Sequence, residues 1–317
     1  LVTDDEGRPV SVSVYPGNTA DPSTVQDQVK KLKEDFGIDR VVFVGDRGMV
    51  TQTQIDKFIE QGDIDWISAL KSMSLRKLRA EGALQLGLFD EKDLFEFQSE
   101  HYPKDRLVAC RNEDLAKRRA RKRVSLINAT KKEIEKIKKS VRLGNLRGKA
   151  EIGVRAGRVI NKYKVAKHFK LDINDQKLSY RVRKDSVEAE AALDGIYVIR
   201  TSVSAEHMSA EDTVRNYKRL ARVEKSFRAM KTIDLKVRPI YHYAENRVRA
   251  HIFLCMLAYY VEWHLRRAWA PLLFANEADT LFSRDPVKPA EPTAQAHHKA
   301  ASKKTDDGHT VHSFGSL

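Results

Sequence analysis

The stretch YKRLARVEKSFRAMK at 217–231 sets Tyr217, Glu224, Arg228 and Lys231 at spacings of seven, four and three residues. On a helix turning about 100° per residue these side chains share one narrow face, within roughly 40° of Glu224, beside an apolar stripe of Leu220, Val223, Phe227 and Met230. A carboxylate at the edge of a buried stripe is held by packing yet can face a divalent cation, and flanking cations can grip phosphate. Such a helix suits an enzyme that cuts nucleic acid. The same spacing also makes Glu224 and Arg228 an ordinary i,i+4 ion pair on a solvated face. Spacing alone leaves both readings open.

A second carboxylate stands in VVFVGDRGM at 41–49. A continuous apolar run from Val41 to Val44 predicts a strand buried inside a sheet with helices on both sides, and the Gly-flanked loop after it places Asp46 at the strand's carboxyl end. Gly-Asp-Arg-Gly is equally a plain turn sequence. A strand-end Asp46 and a helix-borne Glu224 together suggest a carboxylate site for Mg2+ or Mn2+, which take oxygen ligands and keep water and phosphate in their shells.

The elements that must position these groups follow from pattern. LVTDDEGRPVSVSVYPGN reads as a β-hairpin with an Asp-Glu-Gly turn and alternating Val10, Val12 and Val14. PSTVQDQVKKLKEDF at 22–36 is an amphipathic helix with Ser23 or Thr24 as cap, and another helix starts near Thr51. DWISALK at 65–71 is a third strand, DGIYVIRTSV at 194–203 a fourth, and the helix carrying Glu224 is capped by Ser209 or Asp212. A helix over 243–268, rich in Leu, Phe, Tyr and Trp, should close the core. Between 72 and 193 the rhythm is lost: LFEFQSE and LVACR read as short strands, 112–143 as a charged helix, and GVRAGRVINKYKVAKHFKLDINDQKLSYRVR as strands. Four segments result, 1–71 and 194–275 as halves of an α/β core, 72–193 as an insertion, and 276–317 as a polar tail whose composition predicts disorder.

With 317 residues the chain can bury a substantial core without staples, and its two cysteines, Cys110 and Cys255, match no disulfide framework or zinc spacing. The longest apolar run, at 252–261, is half of what a bilayer requires, and no signal-peptide pattern opens the chain, so a cytoplasmic protein without membrane contact is expected. The formal net charge is +14. Residues 111–170 hold 21 Lys and Arg against 5 Asp and Glu, so the basicity belongs to one segment. Long basic helices are often solvated arms, but so few compensating carboxylates favour a polyanion, and the run 117–142, with Arg118, Arg119, Arg121, Lys122 and Arg123, is expected to follow a nucleic-acid backbone.

The blocks GNTADPSTV at 17–25, VVFVGDRGM, DGIYVIRTSV, YKRLARVEKSFRAMK and VRPIYHYAENRVRAHIFLCMLAYY at 237–260 occur in an order that resembles the DDE transposases of bacterial insertion sequences, specifically the group with a β-rich insertion before the final glutamate. The resemblance spans 1 to about 270. It implies a ribonuclease-H-like mixed sheet flanked by helices, with a large basic insertion subdomain. It further implies two Mg2+ or Mn2+ ions held by catalytic carboxylates for DNA cleavage and strand transfer, a homodimer when two DNA ends are held together, and association with the nucleoid.

By position Asp46 is the second aspartate and Glu224 the glutamate; Tyr217 and Lys231 match the family's Tyr/Arg/Glu/Lys signature, and Leu220 stands where it has arginine. Arg228 is then the candidate for that phosphate contact, while for Arg47 the sequence leaves two partners open, Asp46 or a phosphate. The family's first aspartate stands on the first, central strand, which the opening hairpin does not supply, and Asp4 and Asp5 lie in its turn. The expectation is therefore an N-terminally truncated core lacking its first strand and first ligand. Two functions follow: a DNA transposase, or a non-catalytic DNA-binding remnant of one. The family's tryptophan for stacking an extruded base is not carried over, since Trp66, Trp263 and Trp269 all lie outside the insertion.

Overall fold

The computed structural model describes residues 1–317 apart from 5, 234–236, 275–285 and 289–291, and of 232 and 233 the backbone alone. The chain forms two compact units, unit 1 of Leu1–Lys71, Leu94–Val108 and Val198–Leu317, and unit 2 of Ser72–Asp93 and Ala109–Tyr197. In chain order the strands and helices are β1 (Val2–Thr3), β2 (Pro9–Ser11), α1 (Val25–Glu34), β3 (Val41–Val44), α2 (Gln52–Gln61), β4 (Ile64–Ala69), α3 (Ser72–Ala80), β5 (Leu94–Phe97) and β6 (Arg106–Arg111). Then come α4 (Glu113–Arg142), α5 (Lys149–Lys162), β7 (Phe169–Ile173), β8 (Leu178–Val182), α6 (Lys184–Ala191), β9 (Ile196–Thr201), α7 (Ala210–Arg228), α8 (Glu245–Ala268) and α9 (Ala294–Ser302).

The expected hairpin is β1 and β2, antiparallel, with Val2 opposite Ser11 and Thr3 opposite Pro9. Its turn needs Gly7 at φ 83°, a left-handed conformation that any Cβ strains. The main sheet is mixed, in the order β3-β4-β9-β6-β5, with β3 parallel to β4 and β4 antiparallel to β9. Beside it α1 and α2 bury Val25, Val29, Ile55 and Phe58 against Ile64 and Trp66. Burial of Phe58 alone contributes on the order of 1.5–3 kcal/mol. Thr51 caps α2, its side chain accepting from the Gln54 N–H, whereas neither Ser23 nor Thr24 caps α1: their hydroxyls donate to the carbonyls of Ala20 and Asp21.

Three expectations about unit 1 change. β3 is an edge strand, paired with β4 alone among the described residues, so Val42, Phe43 and Val44 are half-buried rather than enclosed. The strands LFEFQSE and LVACR are β5 and β6 of this same sheet, so 94–108 returns to unit 1 within the block read as an insertion. Finally, α8 buries only Met256, Tyr259 and Glu262, leaving Phe253, Leu254, Leu257, Tyr260 and Val261 exposed. Its apolar residues recur on more than one face, and only one face is covered.

Unit 2 is helical rather than β-rich. GVRAGRVINK forms α5, because Ile152, Ala156, Val159 and Ile160 recur at helical spacing and pack with Ile127 and Ile134 of α4. The hairpin of β7 and β8 adds Phe169 and Leu178 to that cluster. Asn112 caps the 30-residue α4, accepting the Leu115 N–H at 2.8 Å. Gly195 is required there: a Cβ on it would lie 2.4 Å from the Asn112 carbonyl.

Where the polar composition predicts a disordered tail, residues 292–317 hold α9, capped by Thr293, and a bridge between Leu273 and His312. Lys299 is buried, its Nζ donating to the carbonyls of Ala270 and Leu273 at 3.3 and 3.4 Å. Hydrogen bonding to backbone carbonyls lets a polar segment pack where hydrophobicity alone gives no reason to.

Candidate active site

Asp46 stands where its sequence places it, just past β3, after Gly45, whose N–H continues the ladder to the Ile67 carbonyl at 3.1 Å. A side chain at 45 would force its neighbours to shift. A Cβ there would lie 2.8 Å from Val50 and 2.9 Å from Phe43. The turn that the sequence allows is formed: Oδ1 of Asp46 accepts the N–H groups of Gly48 at 2.8 Å and Met49 at 2.9 Å. Oδ2 has no hydrogen-bond partner among the described residues and the side chain is exposed, so the turn fixes the group while leaving an oxygen for a ligand.

Glu224 is exposed on α7, and the i,i+4 ion pair with Arg228 is not formed; among the described residues Glu224 has neither an ion pair nor a hydrogen bond. The helix is held from below by Ser226, a buried hydroxyl in the middle of the expected stripe. Its one proton is shared between the Gly7 and Arg222 carbonyls, at 3.1 and 3.0 Å, and its oxygen accepts from the Tyr259 hydroxyl at 3.1 Å. The close approach of the hairpin explains the small residue, since a Cβ at Gly7 would already touch that of Arg222 at 3.4 Å. The apolar stripe itself is corrected: Leu220 and Val223 are half-buried, Phe227 is exposed, and burial falls on Val214, Ser226, Ala229 and Met230. α7 passes into a π-helical turn over Ala229–Ile233, so the 100° step no longer locates Lys231; its ammonium lies over the Phe227 ring at 5.0 Å.

Tyr217 joins the two carboxylates. Burial raises its pKa above the ordinary phenol value, the charges of Asp46 and Glu224 push the same way, and Arg47 opposes them. One side chain thus lies within electrostatic reach of Asp46, Arg47 and Glu224, groups separated by most of the chain, and it stays protonated as a donor beside two anions. Arg47 is exposed at the same loop; Arg228 is exposed on α7.

No third metal-binding side chain joins them: among the described residues no group of three His, Cys, Asp or Glu could hold an ion. Asp4 is committed to the hairpin turn. Burial raises its pKa, but hydrogen bonds from Arg8, with Nε at 2.7 Å, and that cation's charge bring it below the usual carboxylate value. Asp5 lies outside the described residues.

The basic helix of unit 2 divides by face. Arg118, Arg121 and Lys122 are exposed, whereas Arg119 donates to the carbonyls of Leu193 and Ile196 at 3.4 Å and Arg123 forms a two-pronged, buried ion pair with Asp194. Arg119 and Arg123 therefore serve the fold of unit 2 and are not part of a surface tract. Gly45 and Ser226 escape sequence reasoning because a small residue in a strand exit or a helix carries no chemical signal until its neighbours are known. No helix of the described residues is long and apolar enough to cross a membrane.

No curated protein and no solved structure matches the chain. The family model for the transposase DDE domain matches residues 1–261, a span that holds Asp46, the basic helix and Glu224 in that order. That span is well over half of a chain whose fold is mixed α/β with a mixed sheet, and the chain belongs to the transposase DDE domain family.

Proposed function

We propose that this chain is the core of a DNA transposase, with a ribonuclease-H-like sheet, that cleaves and joins DNA strands at insertion-sequence ends, and that Asp46 and Glu224 are its carboxylate ligands. What supports this is the family match over residues 1–261 together with two exposed carboxylates inside it, Asp46 at a strand end and Glu224 on α7, 178 positions apart and both within electrostatic reach of Tyr217. The donor set fits Mg2+ or Mn2+: oxygen only, one carboxylate with an uncommitted oxygen and one with no partner among the described residues. Bound there, such ions would supply Lewis acidity for an in-line phosphoryl displacement. The chain's own groups do the rest. Tyr217 donates toward a phosphate oxygen, Arg47, Arg228 and Lys231 offset the backbone charge, and the Gly48 and Met49 N–H groups hold Asp46 in place. Duplex DNA is the partner, held by two copies of the chain when two ends are joined.

A second reading, DNA binding without cleavage, draws support from the lack of a third ligand among the described residues. The two separate in one experiment. Purified chain with Mg2+ or Mn2+ should nick supercoiled plasmid, and Glu224→Gln and Asp46→Asn should abolish nicking while DNA retention persists. Retention by the wild-type chain with no nicking in either metal selects the second reading.

A further inference from the structure

Unit 2 contains a cavity of about 360 Å3 whose lining comes from α3, α4, the residues that follow α5, and the end of α6, all within that unit. Its floor is apolar, with Leu75, Val165 and Leu193 buried. Two ion pairs stiffen its wall: Arg123 with Asp194, and Lys167 with Glu190. Between them His168 is buried, its Nδ1 3.0 Å from the Ser186 hydroxyl and its Nε2 2.9 Å from Glu190. These pairs neutralise both of the carboxylates in the lining. Arg76, Lys122 and Lys164 remain, exposed at the rim and without an ion-pair partner among the described residues. Three unmatched cations over a small apolar floor form a receptor for a compact anion, and a phosphate group is the anion whose several oxygens satisfy converging cations at once.

Lys164 provides a second, independent pointer. It follows α5 at φ 53°, and its N–H bonds to the Asn161 carbonyl while the Val165 N–H bonds to that of Ile160. This is the Schellman arrangement, whose left-handed position glycine ordinarily fills. A lysine there is strained, and the strain places a cation on the cavity rim.

We propose that this cavity is a phosphate-binding site, separate from the carboxylate pair, in which Arg76, Lys122 and Lys164 grip the phosphate of a free nucleotide or of a nucleic-acid strand. The test is calorimetric titration of the full chain with inorganic pyrophosphate and with deoxyadenosine monophosphate at constant ionic strength, in the wild type and two variants. Lys164→Gly should weaken binding by about tenfold, as expected when one charge-assisted hydrogen bond is removed, without lowering the thermal midpoint, because glycine relieves the backbone. Lys303→Gly is the control: it removes another left-handed lysine, at φ 58° after α9 in unit 1, and should leave binding unchanged. Displacement of labelled DNA by pyrophosphate from the wild type but not from Lys164→Gly assigns the site to strand phosphates, and saturable binding without displacement assigns it to a free ligand. No saturable binding, or equal weakening in both variants, overturns the proposal.

Discussion

Helices α4 and α7 are both densely charged, both capped by a polar side chain, and in sequence each admits a solvated face as one of two readings, yet their charges meet opposite fates. On α4 the cations one turn apart at 119 and 123 point inward, onto carbonyls and Asp194. Those at 118, 121 and 122 remain exposed. On α7 the carboxylate that spacing would pair with Arg228 is left with no partner among the described residues, beside a phenol that also feels Asp46. Spacing alone does not decide an exposed ion pair, which is worth little either way: on α4 Lys117 pairs with Glu113, while on α7 Glu224 does not pair with Arg228.

The largest expected effect separates the two helices outright. Glu224→Gln or Asp46→Asn should reduce metal-dependent DNA cleavage on the order of a thousandfold or more, since a ligand that acts with its partner as a unit cannot be removed by halves. Both side chains are exposed and Glu224 has no hydrogen bond or ion pair among the described residues, so the thermal midpoint of Glu224→Gln should stay at the wild-type value. A midpoint that falls instead would make α7's carboxylate as structural as α4's inward arginines.

The reverse holds on α4. Side-chain exposures of 9 % and 10 % place Arg123 and Asp194 out of water, so Asp194→Ala leaves a buried charge unpaired and should destabilise unit 2 by about 3–5 kcal/mol. The double variant Arg123→Met, Asp194→Leu should recover most of that stability. Urea denaturation of the three chains measures it, and no recovery in the double variant would mean that something other than the orphaned charge is at fault.

Much of unit 1 is legible in the sequence. Apolar runs and caps give β3, α2, β4, β9 and α7, and the end of an apolar run places Asp46. What fails there is what depends on the neighbour: β3 reads as enclosed because periodicity reports two apolar faces, not whether strands flank both edges. The stripe on α7 reads as apolar, although the buried position that meets the hairpin is Ser226, whose hydroxyl bonds to the Gly7 carbonyl. Unit 2 is less legible. Gly153 and Gly157 within GVRAGRVINK suggest strand, and only the partner face on α4 makes it helix. The split of the basic tract into locked and exposed arginines is invisible until Asp194, far along the chain, meets Arg123.

A smaller effect tests that split. Arg118→Ala and Arg121→Ala, on the exposed face, should each weaken duplex DNA binding modestly and lower the slope of log affinity against log salt by about one for every phosphate no longer neutralised. Arg119→Ala should alter stability and leave the slope alone. Equal slopes for all three would restore a uniform basic arm.

The smallest effect lies in pH. Burial lowers the His168 pKa from its ordinary value, with Glu190 opposing through its charge and hydrogen bond and Lys167 and Arg123 adding to the fall. The imidazole is therefore neutral in folded unit 2 at a pH where the unfolded chain already takes up a proton. With more protons bound in the unfolded state, stability rises with pH across this interval. It is complete above the unfolded value of about 6.5 and is lost as the pH falls from there toward the depressed folded value. Thermal midpoints measured from neutral pH downward should show this decline in the wild type, and subtraction of the same series for His168→Gln should isolate it from the carboxylates. If the two series run parallel, His168 carries no proton linkage, and the wall of the cavity is no more than packing.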